Sequence, residues 1–293
     1  MVRLQPRSFT IVLIIVAAVS IAAAQNNRVS KVGGTLVVAV PVSQGLVVCS
    51  DKRLYNEATG TFRDDFTKIH KVNDKALFVA THTTGFLNGL SGQMAFDIFD
   101  LTQNYVSQHS FTPSTEFWNG FRIEIRSKLL AYLSKLKFTE LPETDLANNR
   151  LLFNLVFFTV ENTAAKSYSI SVFYEKAKTP IVDVSGVTSE VVRTPKLLGK
   201  GKDVMALFAK KPELGRDPSI LKFDQSYFSI ERTTTHDAVG FSSKLFSLSN
   251  EYLPEARVSA AHNCALLGFQ NGFQWVDDSG SLIQMARVIS KSQ

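Results

Sequence analysis

Gly33-Gly34-Thr35 opens an apolar run that continues to Val42, and a second run, Leu46 to Asp51, ends on an acid followed by Lys52 and Arg53. Ser43-Gln44-Gly45 between them is a hairpin signal. A short turn there puts Thr35 opposite Asp51 or Lys52, so a hydroxyl and an acid–base cluster share one end of a sheet. A threonine hydroxyl is a weak nucleophile until a base takes its proton. Cutting the Gly34–Thr35 peptide bond supplies that base, because the freed α-amine has an ordinary pKa of about 7.7–8.0. Lys68, held by Asp51, biases the amine toward its neutral form by like-charge repulsion. Gly34 suits such a cut, since a residue without Cβ allows the close approach of Thr35 to its carbonyl.

Taken singly, each of these is an ordinary strand, turn or surface residue. Their joint spacing resembles the start of a catalytic proteasome β-subunit: the Gly34-Thr35 junction, the ungapped interval to Asp51-Lys52-Arg53, and the pair Lys68-Ile69 after one residue of insertion. The resemblance covers roughly residues 35–110, including the helical block after His82, and is topological beyond that. It implies an N-terminal-nucleophile hydrolase: an α+β, four-layer αββα sandwich of two antiparallel sheets flanked by helices. Thr35 would be nucleophile and, through its amine, base. Asp51 and Lys68 would tune it, and Arg53 would buttress Asp51.

Three departures accompany the resemblance. Ala80-Thr81-His82-Thr83-Thr84 stands where the family has a small, glycine-containing turn whose N–H supports an oxyanion; the turn around His82 still offers that N–H, and its imidazole would crowd or reshape the pocket. Gly199-Lys200-Gly201 puts Lys200 where a serine belongs, and the late Asp-x-x-Ser-Gly motif has only poor candidates in Asn263 to Gly268 and His236-Asp237. The leading expectation is a threonine-type amidohydrolase acting on peptides or small amides. The alternative is a catalytically retired relative that serves as an oligomeric binding scaffold.

The elements that must position these residues are legible as patterns. Phe66 to Val72 and Lys75 to Ala80 read as strands around an Asn73-Asp74 turn. Phe86, Leu90, Met94, Ile98, Leu101 and Tyr105 recur at helical spacing behind Thr83 or Thr84 as cap. A second helix starts near Thr112-Pro113-Ser114, carries Phe117, Phe121, Ile125, Leu129, Leu133 and Leu136, and is ended by the polar loop Pro142 to Asn149. Strands are expected at Leu151 to Glu161, Ser167 to Tyr174 and Pro180 to Val184. A Gly/Lys loop, a short helix near Asp203 to Ala209, an irregular stretch and a helix from Thr235 to about Tyr252 follow. Gly268 to Val276, a turn at Asp277 to Gly280 and a last short strand close the chain. The order describes two stacked sheets with helices outside, in one domain over 35–293.

Arg3 and Arg7, an apolar run from Ile11, and Ala22-Ala23-Ala24 before Gln25 read as a signal peptide over 1–24 rather than a membrane anchor. Residues 25–34 are then a short pro-segment, and the protein is exported, periplasmic or extracellular, with no membrane association after signal cleavage. The formal charge of +6 falls to +4 without that segment and is scattered, which argues against nucleic acid as a partner. The five histidines show no ligand spacing, so neither metal nor other cofactor is expected. Cys49 and Cys264, each in an apolar stretch, read as two buried thiols rather than a bridge. An aromatic-rich block (Phe96, Phe99, Tyr105, Phe117, Trp118, Phe121) follows the first strands, where proteasome-like domains stack, and suggests a homo-oligomer.

Overall fold

The computed structural model describes residues 29–88, 92–224 and 226–283. The signal-like segment, the start of the pro-segment and Leu90 lie outside the described residues. Ser30–Gly33, directly ahead of Thr35's glycine, forms strand β1. The expected hairpin follows as β2 (Leu36–Val42) and β3 (Gly45–Asp51), with Val42 opposite Gly45 and Val37 opposite Ser50. Every residue of both strands is buried. Next come β4 (Leu54–Asn56), β5 (Phe62–Arg63), β6 (Ile69–Asn73), β7 (Ala76–Leu87) and β8 (Met94–Asp97). Helices α1 (Ile98–Gln108) and α2 (Thr115–Leu133) lead to β9 (Leu151–Glu161), β10 (Ala164–Glu175), β11 (Ile181–Val184), β12 (Thr188–Val191) and β13 (Lys196–Gly199). Helices α3 (Gly201–Lys210), α4 (Pro218–Leu221) and α5 (Thr235–Tyr252) precede the last strands, β14 (His262–Gly268) and β15 (Gly272–Val276).

Two antiparallel sheets result. The smaller runs β13-β2-β3-β14-β15; the larger runs β11-β10-β9-β7-β1-β4-β5, with β6 and β8 also paired to β7 and β12 to β10. Strand alternation sorts the apolar side chains into three layers. Val37, Ala39, Leu46 and Val48 meet Leu77, Val79, Val156 and Phe158 between the sheets. Leu36, Val38, Val40 and Val47 pack instead with Val239, Leu245 and Phe246 of α5. Phe78, Leu155 and Phe157 on the far face of the large sheet pack with Phe99 of α1 and Phe121 and Ile125 of α2. The hairpin is apolar on both faces because it has a sheet on one side and a helix on the other.

Helix α2 starts where the sequence indicates, with the Ser114 hydroxyl accepting from Phe117 N–H, and α5 carries a capping box between Thr234 and Asp237. The other helix expected in this region begins much later than its spacing suggests. Thr83 to Leu87 continue β7, Met94–Asp97 are β8, and the cap is Asp97, whose side chain accepts from Phe99 N–H at 2.7 Å. Phe86 faces Phe96 across that ladder, and β1 pairs on the segment too, so two neighbouring strands take the backbone that a helix would have used. Of the two expected caps, Thr83 and Thr84, the second donates its hydroxyl to Val32 O instead. Most of the aromatic block turns inward: Phe99, Tyr105, Phe117, Trp118 and Phe121 are buried, and Phe96 is partly exposed.

The cysteines are corrected as well. Cys49 and Cys264 sit directly opposite one another on β3 and β14, with Cα atoms 4.1 Å apart, and are joined as a disulfide rather than left as thiols. The pairing escapes the sequence because β14 begins at His262, well before the strand expected there, and brings Cys264 into register with β3. The bridge ties residues 215 apart in sequence. Replacing both cysteines by serine should lower unfolding free energy by about 2–5 kcal/mol with the strands retained. Urea titration followed by fluorescence checks it, and an unchanged midpoint would show that the β3–β14 ladder holds without the bridge.

Candidate active site

The site is built where β1 passes into β2. Thr35 is the short link between them, and its hydroxyl is buried without a hydrogen-bond partner. Asp51 ends β3 beside it, fully enclosed. One carboxylate oxygen accepts Leu36 N–H at 2.8 Å, and the other accepts Arg53 N–H at 3.1 Å and the Lys68 ammonium at 3.0 Å. Lys68 stands just ahead of β6, has no solvent exposure, and donates a second hydrogen bond to Gly34 O at 2.6 Å. The carbonyl of the Gly34–Thr35 bond is therefore held by a buried cation, and that cation is fixed by a buried carboxylate. Burial pushes the Lys68 ammonium below its ordinary value against the opposing pull of Asp51. Burial likewise pushes the Asp51 carboxyl up, with Lys68 and the two backbone donors opposing it.

Arg53 reaches Asp51 through its main chain. Its guanidinium forks onto Asp64 instead, at 2.8 and 2.9 Å, and also meets Val258 O. The expected buttress is thus a backbone N–H, and the side chain ties the β3–β4 corner to the segment after α5. That arginine's hydrogen bonds hold the Asp64 carboxyl below the usual carboxylate range, and Ser259 adds a further bond.

His82 meets the Gly34–Thr35 segment through its own carbonyl. It adopts φ +69° and turns that carbonyl toward Gly34, whose N–H it accepts at 3.0 Å. The donor on the Gly34 carbonyl is Lys68. The imidazole is half-buried, and burial first, then the nearby Lys200, push its pKa below the ordinary histidine value. Lys200 also comes to the site: its N–H donates to Thr35 O at 3.0 Å, and its ammonium lies 3.5 Å from Asp203. Gly199 before it has φ +65°, and a Cβ there would lie 2.1 Å from Thr35 O.

Gly34, Thr35, His82, Gly199 and Lys200 border a cleft of about 260 Å³, to which Tyr55, Glu57, Asp145, Glu255 and Arg257 also contribute, whereas Asp51, Arg53 and Lys68 do not line it. Arg257 lies over the Tyr55 ring at 3.6 Å. Sequence reasoning missed Tyr55, Asp64, Ser259 and Arg257. The only local signal was for Asp64, since a half-buried arginine after a strand needs a carboxylate. Neither late candidate reaches the cleft: Asn263 to Gly268 lie within β14, and His236 bonds Ser279 O near the far end of the hairpin. Among the described residues no group of three or more His, Cys, Asp and Glu side chains is placed to hold a metal ion. No helix among them is long and apolar enough to cross a membrane. No family model matches the chain, and no curated protein matches it either.

Two outcomes follow from the electrostatics. Lys68→Ala strands a fully buried carboxylate and should cost about 3–5 kcal/mol in urea unfolding, whereas Asp51→Asn with Lys68→Met should recover much of that loss. A Lys68→Ala protein as stable as its parent would show that water reaches Asp51. For His82 the folded pKa lies below the unfolded value, so the unfolded chain takes up the proton first. Stability should be complete above about pH 6.5 and fall as pH drops through and below it, with His70 acting in the same sense because burial lowers it too. His82→Asn should flatten part of that slope, measured as the urea midpoint between about pH 7.5 and about pH 5.

Proposed function

We propose that the chain is an N-terminal-nucleophile, threonine-type amidohydrolase, with peptides or small amides as substrates, which activates itself by cleavage after Gly34. The observation that carries this reading is the chain of contacts from Asp51 to Lys68 to the Gly34 carbonyl, beside a buried Thr35 hydroxyl that has no partner. A cation on that carbonyl favours the negative oxygen that forms when a nucleophile adds to it. Addition of Thr35 Oγ1 to the Gly34 carbonyl carbon, followed by breakage of the C–N bond, moves the acyl group from nitrogen to oxygen. The hydroxyl proton passes to the freed amine. Water then hydrolyses the ester and leaves Gly34 with a carboxylate and Thr35 with an α-amine. In later turnovers that amine takes the hydroxyl proton as Oγ1 attacks a substrate amide and delivers it to the leaving amine, and water again clears the ester. Lys68, next to the amine, keeps it neutral.

The two sheets with helices on their outer faces support the N-terminal-nucleophile fold. The buried Cys49–Cys264 bridge supports an oxidising, exported location, periplasmic or extracellular. A homo-oligomer rests on the resemblance alone and would have to use surface other than the inward-facing residues of the aromatic block.

One observation favours the scaffold reading. Strand β1 is bonded on both sides, to β7 and β4, so the uncut chain already makes a complete sheet. The N-terminus separates the two. Protein purified from its natural compartment should begin at Thr35 by intact mass, and Thr35→Ala should retain the segment through Gly34. A parent protein found only with Gln25 at its N-terminus would overturn the autocatalytic mechanism and leave the scaffold.

A further inference from the structure

Strand β1 lies antiparallel between β7 and β4, with Lys31 opposite Phe86, Val32 opposite Asn56, and Gly33 opposite both Tyr55 and Thr83. A peptide that replaced it would have to make the same main-chain bonds, including the one from the last residue's N–H to His82 O. That carbonyl leaves no space for a side chain one residue earlier. A Cβ on Gly33 would lie 2.0 Å from His82 O and 2.8 Å from Thr83 Cα, and both are backbone atoms that cannot rotate aside. The obstruction arises from His82 itself, because its left-handed backbone turns the carbonyl into the strand's path. Gly34 is constrained differently. Its φ of +87° strains any L side chain, although the space around it is open: a Cβ there would have no neighbour nearer than 3.8 Å. Val32, ahead of the pair, is 1 % exposed and borders a second cavity of about 420 Å³ lined by Leu54, Phe62, Leu87 and Met94 and by the polar Asn56 and Arg63.

We propose that the cleft beside Thr35 selects acyl donors ending in Gly-Gly with an apolar residue before the pair, and that the His82 carbonyl enforces the first glycine. This rests on Thr35 being the nucleophile. The substrates are peptides or amides of the form apolar–Gly–Gly–NH–R. Transfer of the glycyl acyl group to Thr35 Oγ1 releases H₂N–R, which takes the hydroxyl proton, and water then frees the Gly-Gly carboxylate. The room beside Val32 accepts a residue larger than valine, so the apolar position is permissive where the glycine position is not.

The test uses mature protein beginning at Thr35 and three fluorogenic amides: acetyl-Lys-Val-Gly-Gly, acetyl-Lys-Val-Ala-Gly and acetyl-Lys-Val-Gly-Ala, each on aminocoumarin. The Gly-Gly amide should be hydrolysed, and alanine at the penultimate position should lower kcat/KM about ten- to hundredfold, as overpacking against rigid backbone does. Alanine at the last position should cost less, because only backbone conformation opposes it. Equal rates for the Gly-Gly and Ala-Gly amides would overturn the selection and leave the hydrolase reading standing. No hydrolysis of any of the three would overturn both. In the precursor, Gly33→Ala should stay uncut by intact mass, and the free peptides keep the proposal open to test should that variant fail to fold.

Discussion

The structure depends on one buried ion pair. Asp51 and Lys68 sit without solvent exposure where the two sheets meet, and through them the start of β2, the end of β3, the approach to β6 and the Gly34 carbonyl share a single point. Removing two charges from water is expensive, and an apolar pair of similar volume would often be as stable or more so. The pair persists because every interaction that compensates it is in place. The carboxylate accepts three hydrogen bonds, the ammonium spends one on the carboxylate, and the next acceptor it meets is the Gly34 carbonyl. The Leu36 N–H on Asp51 also means that the register of β2 against β3 and the placement of the charge are the same requirement. A slip of one residue would flip the hairpin's faces and leave the carboxylate unpaired at once.

This coupling explains which parts were legible. The hairpin and the Thr35–Asp51 relation are local: two apolar runs, a short turn and a fixed pleat place both residues at one end with no knowledge of the rest. Lys68 came through the resemblance and is brought in by β6, itself expected from the Asn73-Asp74 turn. What could not be read was settled over long range. The four-residue spacing of Phe86, Leu90, Met94 and Ile98 satisfies a helix, yet β1 on one side and β8 on the other make Thr83 to Leu87 a strand. Tertiary pairing outweighs local periodicity there, and the β-branched Thr83-Thr84 agrees with it. Strand β14 and the bridge were hidden for the same reason, since nothing near Cys264 in sequence says that Cys49 will lie opposite. The polar residues around the cleft, Tyr55 and Arg257 among them, come from segments whose only shared property is their place in space.

Glycine is used at the site for three separate purposes. Gly199 lets the turn before α3 press against Thr35 O, where a Cβ would overlap the carbonyl. Gly33 lets β1 pass His82 O, and Gly34 supplies the positive φ that swings the chain from the large sheet into the small one. Gly34 is thus the hinge between sheets as well as the residue next to Thr35. A substitution there would disturb the crossing and the carbonyl's contact with Lys68 together.

The fold is therefore complete around an unbroken bond, and this sets the consequence of breaking it. Scission after Gly34, if the proposed mechanism holds, would remove one covalent link from a strand with other attachments: the ladders to β7 and β4, the Ser30 hydroxyl bonded by Ala58 N–H, and the bond from Val29 N–H to Glu140 O. The severed segment would remain in place until those bonds exchanged with water or with another strand. Lys68, freed of the Gly34 carbonyl only when the segment leaves, would still face Asp51 from inside the core. The same pair that fixes the uncut carbonyl would then confront a new α-amine a residue away from Leu36 N–H. The groups that hold Asp51, namely Leu36 N–H, Arg53 N–H and the Lys68 ammonium, all lie on the C-terminal side of that bond, so they would not leave with the segment.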